Sequence, residues 1–236
     1  MPRGFCAVCV DYSFKLMYNI FDNFKMREDM KYIAPIYKSI EDAKDFPVAS
    51  IDSFHWEADG YSRPESYAAA FAVEGEGIHA VLWSFENNIR CECKNRDDAV
   101  YTDSCLEFFI KPFEDDERYM NFEVNPDGVY LSQIGEKREN RRFIKELTDI
   151  EPVIVPMTVR EDGKSAWGYD ILIPCNFISE LYAKEFSVRE CRMKGNFYKC
   201  ADLSVSPHYG AHFPVTTAAL GFHNPECFGD IIFRKV

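Results

Sequence analysis

The sequence predicts an all-β chain folded as a two-sheet antiparallel β-sandwich of jelly-roll-like type. Three observations carry that reading: short strand-like runs at regular spacing, turn signals between them, and an aromatic content of 15% rich in Phe and Tyr. The strand-like runs are 67–73, 78–85, 105–111, 118–125, 129–134, 153–159, 166–173, 195–203 and 230–235. Glu-Gly-Glu-Gly at 74–77, Pro-Asp-Gly at 126–128 and Glu-Asp-Gly at 161–163 separate them. A short helix is expected over 176–185, after Pro174, with Asn176 as its N-cap. Residues 1–46 read as an N-terminal extension, helical or partly disordered, in which Phe14, Met17, Phe21 and Phe24 recur at helical spacing. The sandwich is expected to span 47–236.

Length and composition narrow the function. With 236 residues the chain can bury a sizeable core in one large β domain. A net charge of −12 argues against nucleic acid and against anionic membranes, both of which need a positive field. No run of 18 apolar residues predicts a membrane span. The N-terminus lacks the apolar stretch and cleavage site of a signal peptide, so a cytoplasmic location is expected. Nine cysteines, scattered through apolar runs, suit a reduced protein with buried thiols. Cys6/Cys9 form a lone C-x-x-C, a weak zinc signal, and the histidines show no metal-binding spacing. No phosphate loop, dinucleotide fingerprint or nucleophile elbow is present.

The hairpin at 103–125 carries the chemistry. Leu106, Phe108 and Ile110 alternate with Cys105, Glu107 and Phe109, and Met120, Phe122 and Val124 alternate with Tyr119, Asn121 and Glu123. Even positions therefore face the core and odd positions a polar surface or cleft. The acidic run Glu114–Glu117 reads as a solvated hairpin turn. Centring the hairpin near Asp115 places Glu107 opposite Glu123, with Cβ atoms about 4.5–5.5 Å apart. Two opposed carboxylates need a compensating arginine, a metal, a shared proton or a hydroxyl-rich ligand. Otherwise they splay apart into water. Arg90 is the candidate cation. The charged stretch 135–146 reads as an exposed loop or helix, and Trp56, Trp83 and Trp167 as core residues, with Trp83 an alternative cleft residue.

Beyond the hairpin, the chain resembles a known family. The run TDSCLEFFIKP, the Asn121, Phe122, Glu123, Asn125 strand ending in a turn at Gly128, AWGYDILIP, GNFYKCAD and the closing FHNPECFGDIIF are similar to strands of family 9 carbohydrate-binding modules. Ile51, Asp52 and Trp56 match the opening of that module. The resemblance spans about 50–236. It implies non-catalytic binding of a mono- or oligosaccharide through an aromatic clamp, here Tyr101 and Phe222, with polar contacts from Glu107, Glu123, Asn125 and His223. It implies no catalytic cofactor, and since family members carry calcium it leaves room for a structural ion near Asp103. Two departures stand out: neither clamp position holds tryptophan, and an arginine found at the Glu123 position in some members is missing. The competing readings are a glycoside hydrolase using Glu107 and Glu123, whose expected separation suits a retaining mechanism, a haem-binding relative, disfavoured because Met120 faces the core, and an interaction domain whose sugar site has decayed.

Overall fold

The computed structural model describes residues 30–161 and 163–236. Fourteen strands form one continuous curled sheet. They are β1 (Lys31–Tyr37), β2 (Ala49–Ser50), β3 (Ser53–Phe54), β4 (Glu65–Val73), β5 (Gly77–Phe85), β6 (Cys105–Lys111), β7 (Tyr119–Val124), β8 (Tyr130–Gly135), β9 (Arg142–Phe143), β10 (Val153–Glu161), β11 (Lys164–Pro174), β12 (Cys191–Cys200), β13 (Tyr209–Ala211) and β14 (Gly229–Lys235). The main path runs β10-β11-β5-β4-β1-β14-β12-β6-β7-β8-β9. The nine predicted strands are all present. Pairing is antiparallel except around β1, which lies between β4 and β14 and is parallel to both. Lys31–Tyr37 falls within the N-terminal stretch expected to be helical or disordered, and there the reading needs correcting: it is an interior strand. Tyr32, Ala34 and Ile36 supply its buried face. The helical spacing at Phe14–Phe24 lies outside the described residues.

Curling brings the two halves of the sheet face to face. Ala80 and Leu82 of β5 and Tyr169 and Ile171 of β11 share one core with Leu106, Phe108 and Ile110 of β6 and Met120, Phe122 and Val124 of β7. The Tyr169 hydroxyl crosses this core and donates to the Leu106 carbonyl at 3.2 Å, which satisfies a polar atom that burial would otherwise penalise. Phe108 stacks on Phe197 with ring centroids 5.1 Å apart. The even positions of the hairpin are thus core, as alternation predicted. The helix α1 (Cys175–Tyr182) closes one end, its Phe177 packing on Phe122. It is shorter than expected. Ala183 adopts a left-handed conformation and stops it, and Pro174, not Asn176, occupies the cap position.

A second, smaller cluster lies on the other side of β6, β7 and β12. Cys105, Phe109, Tyr119, Tyr198 and Cys200 from the strands meet Tyr209, Val215, Phe222 and Phe228 from the C-terminal segment. That segment covers the odd face of the central hairpin. The expectation of an open polar surface there is corrected: Glu107 and Glu123 are only 2% and 4% exposed. Trp83 stacks on Tyr67 over the outer face of β4 and β5, away from the hairpin. Among the described residues, no helix is long and apolar enough to cross a membrane.

Candidate functional site

The β6–β7 ladder places Glu107 directly opposite Glu123, in the register that the turn arithmetic predicted. β12 lies on the far side of β6 and aligns Tyr198 with Glu107 and Cys200 with Cys105. The two carboxyls therefore sit side by side under the C-terminal segment, each with a different partner. The Cys200 thiol donates to Glu107 Oε1 at 3.0 Å, and Asn121 Nδ2 donates to Glu123 Oε1 at 3.0 Å. Glu123 Oε2 is buried and has no hydrogen-bond partner. Burial pushes Glu107 well above the usual carboxyl range, and the nearby Cys200 and Glu123 push it further. Burial also raises Glu123, to about 8, against the opposing pull of the Arg141 guanidinium. Both acids are thus biased toward the protonated form that donates as well as accepts hydrogen bonds.

The expected counter-charge is elsewhere. Arg90 bonds the Thr102 carbonyl through Nε and lies 3.7 Å from Asp103 and from Glu92, so it braces a loop and does not reach the paired glutamates. The arginine that faces Glu123 is Arg141, in the stretch that the sequence predicts to be an exposed charged loop or helix. Its guanidinium donates to Asn121 Oδ1 at 2.7 Å and to the Tyr119 carbonyl at 3.0 Å, and it lies 4.1 Å from the Tyr119 ring centroid. Thus β7 carries a glutamate at position 123, and a guanidinium still arrives from the β8–β9 connection.

The remaining predicted residues spread around this array. His223 Nδ1 meets the Tyr119 hydroxyl at 3.0 Å, and its Nε2 lies 3.9 Å from Glu123 Oε1. Burial, with Arg141 and Arg138 nearby, lowers its pKa to about 3 and keeps the ring neutral. Tyr101 is 42% exposed at the rim. Phe222 is 6% exposed, with one ring face stacked on Tyr198 at 4.1 Å and Trp56 against it at 5.8 Å. The two expected clamp residues are therefore unequal: Tyr101 offers a free ring, and Phe222 is packed. Asn125 works as a turn residue. Its side-chain oxygen accepts from the Asp127 and Val129 amides, and its Nδ2 donates to Asp103 and to the Cys93 carbonyl. Asp202, unmarked in the sequence, is half-buried at the rim, where the Tyr101 carbonyl accepts from its amide. Burial raises its pKa, and the charge of Arg138 opposes that.

Asp103 is a poor calcium ligand. Burial alone would raise its pKa, but the Glu92 and Cys93 amides and Asn125 donate to its oxygens and hold it below the usual range. Those donors occupy the lone pairs a hard cation would need. The cysteines among the described residues are all free thiols. One cluster with metal-ligand chemistry exists among the described residues, formed by Cys105, Glu107 and Cys200.

A separate buried polar group lies on the opposite face of β12. Lys199 Nζ is fully buried, 3.0 Å from Glu86 and 2.7 Å from His208 Nε2. Glu86 also accepts from Ser104 and from the Trp167 indole. Burial and the lysine charge lower the His208 pKa to about 4, so its Nε2 accepts from Lys199 and its Nδ1 carries the proton, pointing to the Ser206 carbonyl and Ser62. Ser62 therefore has no base to activate it, and its own hydroxyl donates to Ser206. This is a structural ion pair, not a nucleophile with its base. A cleft of about 310 Å³ opens beside it, lined by Ser62, Arg63, Phe85, Glu86 and Asn87 among others, and a smaller one of about 90 Å³ is lined by Trp56, Tyr61, His208 and Tyr209 among others. None of the seven predicted site residues lines either cleft.

Known proteins resemble this arrangement in fold. A carbohydrate-binding family 9 model matches residues 37–233. A protein of Bacteroides uniformis to which carbohydrate binding is ascribed superposes with a TM-score of 0.70 at 24% identity, covering 86% of this chain and 99% of its own. A family 9 carbohydrate-binding module from Caldicellulosiruptor kristjanssonii, in complex with glucose, superposes with a TM-score of 0.56 at 10% identity, covering 87% of this chain and 96% of its own. The cellotriose complex of a family 9 module from that organism gives 0.56 at 11% identity, with 87% and 94% covered. No curated protein matches the chain. With the family pattern running from β1 to β14 over the same curled sheet, the chain belongs to carbohydrate-binding family 9.

Proposed function

We propose that the protein binds a neutral mono- or oligosaccharide without turning it over, at the rim formed by Tyr101, Asp202 and the edge of Phe222, with Glu123 and Glu107 as the polar floor. The observation that carries this reading is the unpartnered, buried Glu123 Oε2 beside a second carboxyl that burial biases toward protonation. A sugar hydroxyl meets the unmet need of that oxygen, which otherwise costs about 1–3 kcal/mol. Tyr101 supplies a stacking face worth about 0.5–1.5 kcal/mol beyond its buried area. Association costs subtract from these gains, so millimolar affinity, about −4 kcal/mol, is expected. The related modules carrying glucose and cellotriose make gluco-configured sugars the first ligands to try.

Binding is preferred to hydrolysis on electrostatic grounds. A retaining glycosidase needs one ionised nucleophile and one protonated acid in an open cleft. Here burial drives both glutamates toward the same, protonated state. Isothermal calorimetry with glucose and cellotriose tests the proposal. Heat that saturates with one sugar per chain and is lost in Glu123→Gln supports it. Silence with both sugars leaves the interaction-domain reading, and release of reducing sugar from cellotriose would instead establish the hydrolase.

A further inference from the structure

Two thiols of the smaller apolar cluster stand beside Glu107, where sugar binding gives them no role. Cys105 on β6 and Cys200 on β12 are directly opposed across the ladder, and both are buried. Glu107 follows Cys105 by two positions on the same face and accepts the Cys200 thiol at 3.0 Å. One donor atom from each of the three lies within 4.8 Å of the other two. We propose that Cys105, Cys200 and Glu107 bind a thiophilic divalent cation of the zinc type, with Glu123, opposite Glu107, completing the tetrahedron.

The donor set decides the class of metal. Two sulfurs and carboxylate oxygen suit zinc or cobalt, whereas calcium and magnesium require oxygen throughout. Within the cluster of Cys105, Glu107 and Cys200 the geometry requires little movement, whereas Glu123 lies outside it and must turn inward to join. Zinc sits about 2.3 Å from sulfur and about 2.0–2.2 Å from carboxylate oxygen, so tetrahedral donors lie about 3.5–3.8 Å apart. The Cys200–Glu107 contact opens by about half an ångström to reach this, a side-chain rotation on strands already in register. The Glu123 oxygen without a partner supplies the independent sign of an unmet cation. Charge points the same way: two carboxyls and two thiols converge here, where Arg141 acts on Glu123 and Lys199 on Cys105. On binding, each thiol and both carboxyls, Glu107 and Glu123, release the protons they hold to solvent as the metal takes their lone pairs.

The test is a titration of the full, reduced, metal-free chain with cobalt(II) alone, followed by zinc, with no sugar present. Its outcome is therefore independent of the sugar-binding reading. One equivalent of cobalt is expected to give a thiolate-to-metal charge-transfer band and tetrahedral visible bands, displaced by zinc. The thiols of the C-x-x-C and C-x-C pairs are controlled by replacing Cys6, Cys9, Cys91 and Cys93 together with Ser, which should leave the spectrum in place. Cys105→Ser and Cys200→Ser should each abolish the tetrahedral spectrum. Glu107→Gln, a near-isosteric change that keeps both thiols, should retain a charge-transfer band but weaken affinity by at least about 100-fold. A spectrum that is lost in the four-serine variant, or that survives in both Cys105→Ser and Cys200→Ser, overturns the proposal, as does the absence of any band in the wild-type chain.

Discussion

The two faces of the β6–β7 hairpin are equally hidden from water, yet they are held together by different physics. On the even face, Leu106, Phe108, Ile110, Met120, Phe122 and Val124 meet apolar residues and gain from transfer out of water. On the odd face, Glu107, Asn121 and Glu123 are buried as deeply, among Cys105, Phe109 and Tyr119. Burial there is a cost, and each polar group must recover it from a partner. The three polar groups of the odd face, two of them acidic, lie under the C-terminal segment at a desolvation cost that the apolar face does not carry.

The largest expected effect lies on the apolar face. Phe108→Ala removes a fully buried ring stacked on Phe197 and should cost about 3–5 kcal/mol in denaturant unfolding. Arg141→Ala, on the other face, should cost less, about 1–3 kcal/mol, by leaving Asn121 Oδ1 and Glu123 without their cationic neighbour. Arg141→Lys should rescue little of it, because one ammonium cannot reproduce the forked contacts to Asn121 and the Tyr119 carbonyl. An Arg141→Ala loss equal to that of Phe108→Ala would erase the contrast and make the polar face part of the structural core.

The apolar face was legible in the sequence, and the polar face only in part. Alternation with period two, plus the acidic turn centred near Asp115, fixed both the inward residues and the Glu107–Glu123 register. Three things left no local trace. β1 pairs in parallel with β14, at the other end of the chain, and a strand whose neighbours are so remote announces itself weakly when charged residues flank it. The C-terminal segment covers the odd face through Val215, Phe222 and Phe228, and nothing in the alternation of a strand reveals what will lie on top of it. Arg141 belongs to a run of charges that otherwise faces water, so a single inward turn has no periodicity to mark it. Arg90, which directly follows a strand, is the more visible cation in the sequence, and the structure gives it to Asp103 and Thr102.

Acid–base behaviour separates the faces without any change in packing. Glu123 has a folded pKa of about 8 against an ordinary 4.5, because burial penalises its charge. The folded state then holds a proton that the unfolded state releases between these values, so this group's stabilisation is full below about pH 4.5 and lost as pH rises toward 8. His223 and His208, lowered by burial to about 3 and about 4, act with the opposite sign. Their contribution is present above about 6.5 and is lost as pH falls through those values. Glu123→Gln should therefore flatten the decline of stability between pH 5 and 8 while leaving the acid limb in place. Chemical denaturation across pH measures both limbs. An unchanged alkaline limb in Glu123→Gln would mean that the carboxyl is ionised in the folded protein, where it would meet a sugar hydroxyl as an acceptor only.

The smallest effect on folding should come from the residue most exposed to a ligand. Tyr101 is half open to solvent on a short 3₁₀ turn, and it is held by its backbone: its carbonyl accepts from the Asp202 amide and lies 3.7 Å from the Cys200 sulfur. Truncating the ring leaves those contacts intact, so Tyr101→Ala should change stability by no more than about 0.5 kcal/mol. The same truncation removes the free stacking face of the rim and should weaken sugar binding by about 3–10-fold. Phe222→Ala makes the informative partner. Its ring is packed on Tyr198 and Trp56, so its loss should register in stability first and in affinity only as the segment loosens. If calorimetry instead finds Phe222→Ala selectively defective in sugar binding with unfolding unchanged, the ring is a ligand platform, and the odd face is more open in solution than its 6% exposure implies.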